Sequence, residues 1–567
     1  MEQRAKQWQR LSPCPELVRA ISREFGLSRA VASVLVNRGV SAEAVQAFIQ
    51  PRLRDLGDPL PLPDMRRAVE RIWEAIRHDQ SILVVGDFDT DGITATALLK
   101  WVLAANGARV DTFLPDRKEE GYGLTPAAVE KAVRDHRLVI TVDCGITGTE
   151  GAAHVHARGA DLIITDHHDP GDDVPPALAI IDFKLYPELA HLAVLSGVGV
   201  CFKLCHAFLK YGREHGYGGD SPDLREGMDL IALGTVADVV PLCGENRCLV
   251  RYGMETLTAR RRPGIHALCE IAGIDSVARP TDISFRLAPR LNAAGRMTHA
   301  DRALELLQCS SLSDAHALAR ELEACNRRRQ VFEEETYQAA CEQIERRGVG
   351  DGVMLTVHGD DWHQGVIGIV ASRLTQEYAR PSMVFSTDAA GVLHGSGRSL
   401  PGLNLVDLLA QCADFVDGYG GHPMAAGVTL QRDKLSALVA ALEVAAGELC
   451  PDHTVLAPEL ELQAPLALAD VTDEFFAELQ QLEPFGHGNR PPIFEFAGLR
   501  PDAVMPAGKN STRGVLIDDD RHRINYIYFG CRPDELPRPP WALAAVPEIN
   551  HYQIGRASCR ERVCHRV

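Results

Sequence analysis

Apolar residues along the chain fall into short unbroken runs separated by amphipathic stretches. The clearest run is Ile82-Leu83-Val84-Val85, closed by a polar turn. Such a run reads as a strand buried on both faces, as inside a parallel sheet. From there strands and helices alternate: strand 82–87, helix 93–106, strand 109–114, helix 125–134, strand 138–142, helix 149–157, then strands 161–165 and 179–183. This series predicts an α/β fold with a doubly wound, mostly parallel sheet, whose ligands gather beyond the carboxyl ends of the strands. Apolar helices follow at about 194–211 and 224–237.

The flanks read differently. Residues 28–39 carry an N-cap serine, a helical apolar period and a closing glycine, and 41–49 repeat the pattern, so 1–58 predicts small helices. A stiff Pro59–Pro63 connector and a helix over 64–78 lead into the first strand. The stretch 313–347, capped by Ser313, predicts one long connecting helix of roughly 50 Å. A second, smaller α/β domain is expected over 351–452, with strands at 353–357 and 382–385 and a helix at 367–377. Short strands at 457–462, 492–496, 514–517, 523–529 and 542–549 predict a β-barrel over 453–552. The first α/β domain is then 59–300, with connecting helices over 301–350.

Composition narrows the class. Hydrophobic residues make up 46% and charged residues 24% of 567, ordinary for a globular chain. No window approaches the roughly 18 apolar residues of a membrane span, and no apolar signal core opens the chain. Fifteen cysteines without CxxC spacing suggest reduced thiols and a cytoplasmic location. The net charge of −18 excludes a wholly basic nucleic-acid coat but not a nucleic-acid enzyme, since affinity follows the local field of a groove. Residues 553–567 resemble a translated sequencing adapter, with an abrupt rise in Arg and Cys. They are set aside from functional reasoning, and the barrel is expected to be truncated by one strand, leaving an open edge.

Chemistry concentrates where strands end. Asp87, Asp89 and Asp91 fall within five residues after the first strand. Three like charges so close raise one another's pKa unless a cation sits among them. A divalent-metal site is one reading; an acidic turn with Asp91 capping a helix over 92–106 is the other, and alone they weigh equally. The third strand ends at Asp143-Cys144-Gly145 and the fourth at Asp166-His167-His168. A lone Asp there is commonly a helix cap and a lone His a satisfied surface residue, but clusters repeated along one sheet edge are hard to explain that way. Asp238, inside an apolar stretch, needs a partner or a metal. Carboxylates with imidazole and no thiolate suit Mn²⁺ or Mg²⁺. Two such ions about 3.5–4 Å apart serve phosphate-ester hydrolysis.

These residues carry a resemblance. GDFDTDG (86–92), VDCG (142–145) and TDHH (165–168), in this order, resemble motifs of the DHH phosphoesterase superfamily. ALGTVADVVPL (232–242), RLAPRLNAAGR (286–296), WHQGVIGIVASRL (362–374), GSGRS (395–399) and GGHPMAAG (420–427) resemble those of its RecJ family of single-strand-specific 5′→3′ DNA exonucleases. The likeness runs from about 25 to 550. It implies two Mn²⁺ or Mg²⁺ ions held by residues drawn from Asp87, Asp89, Asp91, Asp143, His167 and Asp238. It implies catalytic roles for Asp89, Asp143, His167 and Asp238, with His168 beside the metals polarising the scissile phosphate. Cys144 stands where an Asn is common.

For DNA placement the resemblance favours phosphate contact by Arg286, Arg290, Asn292 and Arg296 over solvated arginines of an ordinary helix and loop. Arg373, Ser396, Arg398 and His422 are assigned to DNA backbone or 5′-phosphate contact. In the family the second α/β domain closes over the first, with the GGH segment facing the metals and a channel too narrow for duplex. The barrel resembles an oligonucleotide-binding (OB) fold, with Tyr526, Tyr528 and Phe529 as candidate stackers, although alternating aromatics in a strand are more often core. The function implied is stepwise removal of 5′-mononucleotides from single-stranded DNA in recombination and repair, beside a helicase and a single-strand binding protein, by a monomer. A phosphodiesterase of oligonucleotides or cyclic dinucleotides is the alternative; the extra N-terminal helices and C-terminal barrel speak for long DNA. A non-catalytic scaffold of the same fold is disfavoured by retention of every motif carboxylate.

Overall fold

The structure is a computed structural model and describes residues 7–116, 123–219, 221–347, 352–449, 459–508, 510–550 and 556–563. Two compact units are present: Leu11–Cys325 with Gln463–Val567, and Met1–Arg10 with Asn326–Leu462.

In the first unit, strands β1 (Ser81–Gly86), β2 (Arg109–Phe113), β3 (Leu138–Val142), β4 (Asp161–Thr165) and β5 (Ala179–Ile181) form one sheet in the order β2-β1-β3-β4-β5. Every pairing is parallel. Apolar alternation explains burial on both faces. Ile82, Val84 and Ile140 pack into one core, and Leu83, Val85 and Val139 into another with Leu124, Val129 and Val155. The chain leaves β1 toward one side for β2 and returns to the other side for β3. The crevice of such a switch point opens at the carboxyl ends of β1 and β3, where Asp87 and Asp143 emerge.

Helices α1 (Thr90–Ala105), α2 (Pro126–Ala132), α3 (Thr149–Ala157), α4 (Gly197–Glu214), α5 (Met228–Ala237), α6 (Gly244–Ala259) and α7 (Ala288–Met297) are among those that surround the sheet. The expected cap of α1 is corrected. The helix starts at Thr90, and Asp89, not Asp91, caps it by accepting from the Asp91 and Gly92 amides. Helix α8 (Leu312–Arg347) is continuous, as its length predicts, and the boundary between units falls inside it. It begins before Ser313, and Ser311 Oγ accepts from the Asp314 amide at 3.4 Å.

The second unit holds β6 (Leu355–Gly359), β7 (Ser382–Thr387), β8 (Val392–Arg398), β9 (Gly418–His422) and β10 (Ala425–Gln431), in the order β9-β10-β8-β7-β6. Helices α9 (Gln364–Tyr378) and α10 (Leu435–Leu449) accompany the sheet. Glu459–Leu462, expected to open the barrel, instead pairs in parallel with Gln7–Arg10.

The barrel comprises β11 (Phe494–Pro506), β12 (Ser511–Ile517), β13 (Arg523–Phe529), β14 (Trp541–Asn550) and β15 (Arg556–Val563), after helix α11 (Asp473–Gln481). Pairings run β11–β12–β13–β15–β14 and back to β11. Arg556–Val563 pairs with both β13 and β14. Tyr526 lies in the core against Trp541, not on a stacking face; Tyr528 is partly buried and Phe529 exposed. The helices Pro15–Phe25, Arg29–Asn37 and Ala42–Ile49 share this core, with Val31 and Leu35 beside Phe475 and Phe494. The N-terminal segment thus folds onto the barrel instead of standing alone.

Candidate metal centre

Each acidic segment is fixed by its local fold. Asp87 ends the run of β1 and is buried. Asp89 is held by capping α1. Asp91, two residues on, points at the start of α4, where its two oxygens accept from the Gly197 amide (2.7 Å) and the Val198 amide (3.0 Å). Helix α4 so presents the positive end of its dipole to the acidic cluster. Close approach requires glycine. A Cβ on Gly197 would lie 2.2 Å from Asp143 Oδ1, and one on Gly234 of α5 would lie 2.6 Å from Asp91 Oδ1.

Asp143 adopts φ +61°, a left-handed conformation tolerated by Asp and rare for most side chains. Its amide donates to Thr165 O at 3.0 Å, tying β3 to the end of β4. Asp166 links the same two strand ends. One oxygen accepts from the Ile146 amide (2.9 Å); the other accepts from the amides of His167 and His168 and from His168 Nδ1 (2.7 Å). Cys144 is buried, and its thiol donates to Val85 O.

His167 Nε2 lies 3.1 Å from Asp143 Oδ1 and 3.6 Å from Asp238 Oδ2. All three atoms are buried, yet none has a hydrogen-bond partner. Buried polar atoms are almost always satisfied, so three orphans facing one another leave room for a cation. Ligand atoms within 4.8 Å of one another form three overlapping groups: Asp87, Asp89 and Asp143; Asp91, His167 and Asp238; and Asp143, His167 and His168. Asp143 joins the first group to the third, and His167 the second to the third. An oxygen-rich set with imidazole fits Mn²⁺ or Mg²⁺.

The electrostatics agree. Burial first, then neighbouring carboxylates, pushes Asp87 and Asp143 well above the usual carboxylate range, Asp91 up to about 7 and Asp238 up to about 9. Burial and the nearby His168 charge lower His167 to about 3, so its imidazole is neutral. For His168 burial acts downward, but the Asp166 hydrogen bond and charge prevail and raise it to about 9. Asp166 is itself held below the usual range: burial acts upward, and His168 outweighs it.

The remaining sequence-predicted residues divide. Asn292 Oδ1 accepts from the Thr90 amide (2.8 Å) and hydroxyl (2.7 Å), so it anchors the start of α1. Arg286 donates to the carbonyls of Ala272 and Gly273, both at 2.7 Å, and Arg290 pairs with Glu323 at 2.7 Å. Arg296 is half-buried on the same helix, beside Gly295, which packs against Phe88. In the other unit Arg373 lies 3.7 Å over the Tyr337 ring and pairs with Glu334, and Arg398 donates to Ser396 Oγ at 3.1 Å. His422 lies on the exposed edge strand β9. Asp166 and the Gly197 and Val198 amides are absent from the sequence-predicted site. The glycine pair in Ser196-Gly-Val-Gly199 is the signal that could have found the amides.

The model of the DHH family N-terminal domain matches residues 81–235, the DHHA1 domain 350–448 and the RecJ OB domain 462–560. The single-stranded-DNA-specific exonuclease RecJ of Bacillus subtilis is 36% identical over 92% of this chain, which spans 65% of that protein. RecJ of Escherichia coli is 39% identical, with 76% of this chain and 78% of that protein covered. The crystal structure of Thermus thermophilus RecJ with Mn²⁺ superposes with a TM-score of 0.85 at 30% identity, covering 99% of this chain and 80% of that one. Its Mg²⁺ complex gives 0.78 at 28% identity, with 99% and 78% covered. With three family models matched in succession along the chain and a relative 39% identical over 78% of its own length, the chain belongs to the RecJ family of DHH phosphoesterases.

Proposed function

We propose that the chain is a metal-dependent exonuclease that degrades single-stranded DNA 5′→3′ to 5′-mononucleotides, in recombination and DNA repair. The observation that carries this reading is the trio of buried, partnerless atoms on Asp143, His167 and Asp238. Asp87, Asp89 and Asp143 would hold one ion and Asp91, His167 and Asp238 the other. Two Mn²⁺ or Mg²⁺ ions would supply Lewis acidity and lower the pKa of the attacking water.

The protein's own groups do the rest. Asp89 and Asp91 are oriented by helix ends before any ion arrives. Asp166 fixes the His168 ring through Nδ1 and, in the metal-free protein, raises its pKa to about 9. The imidazolium can donate through Nε2 to a phosphate oxygen as charge builds there. Arg296, Ser396, Arg398 and His422 are the proposed phosphate contacts. Arg286, Arg290, Asn292 and Arg373, which also hold protein partners, are proposed to contact the DNA backbone as well. A helicase and a single-strand binding protein are the proposed partners, in the cytoplasm. Among the described residues no helix is long and apolar enough to cross a membrane.

A 5′-labelled strand of some fifty nucleotides should release labelled mononucleotide with Mn²⁺ and none with EDTA, and duplex DNA should persist. Preference for a dinucleotide over the long strand would overturn the reading. Gly197→Ala tests the cradle around Asp143: the added methyl must displace the carboxylate, so Mn²⁺ affinity, read by the free-ion paramagnetic signal, should fall at least about ten-fold.

A further inference from the structure

The turn that follows Asp238 is held from outside the catalytic domain. Asp238 ends α5, and the next residue, Val239, has φ +61° and an exposed side chain. A β-branched residue rarely adopts that conformation and keeps it only where the surroundings enforce it. The enforcing contact comes from the segment between α11 and the barrel. The Leu242 amide donates to His487 O at 2.7 Å. Gly486 and Gly488 lie so close that added Cβ atoms would come within 2.7 Å of Leu242 Cδ1 and 2.8 Å of Pro241 Cβ.

That segment is rigid. Gly486 and Asn489 exchange backbone hydrogen bonds of 2.9 and 3.2 Å. Buried Asn489 donates its amide to the carbonyls of Leu482 (2.9 Å) and Pro484 (2.8 Å). The catalytic side answers with α6. Asn246 donates to Pro241 O at 3.1 Å, and buried Arg247 donates to the carbonyls of Gln481 (2.8 Å) and Glu483 (2.6 Å). The four residues after Asp238 are thus fixed between the start of α6 and the 486–489 turn.

We infer that the Gly486–Asn489 turn is a positioning element for Asp238, so that the C-terminal domain helps hold the metal centre as well as any DNA it binds. The inference rests on the functional reading above. Its consequence is that pressing on this turn weakens metal binding and turnover without weakening DNA binding.

Gly488→Ala in the full chain is the test, with Gly498→Ala as its control. Both glycines have positive φ, +69° and +71°, but nothing lies within 4 Å of a Cβ on Gly498. The two variants share backbone strain, and only the first pushes on Pro241. Gly488→Ala should bind Mn²⁺ about ten-fold more weakly and lose kcat with KM unchanged, the scale seen when groups supporting a metal ligand are removed. Binding of a fluorescent single strand in EDTA should match wild type. Gly498→Ala should keep wild-type Mn²⁺ affinity. Should Gly488→Ala not fold, Asn489→Ala loosens the turn without adding atoms and should show the same pattern. Wild-type Mn²⁺ affinity in a folded Gly488→Ala, an equal loss in Gly498→Ala, or a loss confined to DNA binding would each overturn the inference. A wild-type chain that neither binds Mn²⁺ nor degrades single-stranded DNA would overturn the functional reading and this inference together.

Discussion

Asp143→Asn is expected to slow degradation of single-stranded DNA by roughly a thousand-fold, equivalent to about 4 kcal/mol of lost transition-state stabilisation. Asn is the substitution of choice because it tolerates the left-handed backbone that Asp143 adopts at φ +61°. The volume is kept, and what disappears is the charge facing His167 Nε2 and the Asp87 and Asp89 carboxylates. Stability should move the other way. In the metal-free protein Asp91 and Asp238 have folded-state pKa values raised to about 7 and about 9 by burial and mutual repulsion. A raised value means that the folded state keeps protons the unfolded chain releases near pH 4. That contribution to stability is present below about pH 4 and is lost as pH rises through 7 and then 9. The metal-free wild type should therefore melt at falling temperature from pH 5 to pH 9, and Mn²⁺ should restore more at the alkaline end. Asn cannot ionise and so avoids the cost of a buried carboxyl whose pKa is pushed up, and metal-free Asp143→Asn should be more stable than wild type at pH 8, read as a higher Tm. A variant both inactive and less stable would mean that Asp143 is chiefly structural. Active enzyme would remove it from the metal centre.

Much of this site was legible in the sequence because parallel sheets put function at the carboxyl ends of strands. Unbroken apolar runs mark where each strand stops, and Asp87, Asp143 and His167 follow those stops. Strands 138–142, 161–165 and 523–529 carry the observed boundaries, the first two closed by an aspartate and the last by a glycine. The roles within GDFDTDG were not legible. Whether Asp89 or Asp91 caps α1 depends on the helix beginning two residues before Gly92, and Asp91 is claimed by α4, more than a hundred residues downstream. Arginines posed a related difficulty. The protein partners of Arg286, Arg290 and Arg373 are carbonyls, glutamates and an aromatic ring that only folding brings near, so the motif did not show them. The N-terminal helices looked like a separate segment because an amphipathic period shows that a face is buried, not against what; Val31 and Leu35 find Phe475 and Phe494 more than four hundred residues away. In the barrel, alternation alone could not tell Tyr526, which faces the core, from a base-stacking residue.

The second large effect concerns the pair Asp166 and His168. His168→Gln should reduce the rate by about 10²–10³-fold, the range expected when a positioned proton donor is lost. Asp166→Asn should approach the same deficit without touching the ring, because the carboxylate both orients Nδ1 at 2.7 Å and holds the proton. The two are separated by titration of the metal-free protein. Proton NMR should follow the wild-type His168 imidazole near pH 9, and Asp166→Asn should bring it below the ordinary histidine value, because burial then acts without its counter-charge. The sign for stability follows. His168 contributes in full below about pH 6.5 and ceases to as pH rises through about 9. Asp166, depressed in the fold, contributes above about pH 4 and ceases to as pH falls through its lowered value. The pair therefore stabilises the protein most between those limits, and the deficit of Asp166→Asn in urea unfolding should be largest near pH 6–7. It should shrink toward pH 10, where the wild type has lost the same charge pair. An imidazole that titrates at the same pH in both proteins would show that His168 is charged for some other reason, and the role of Asp166 would reduce to tying Ile146 to the end of β4.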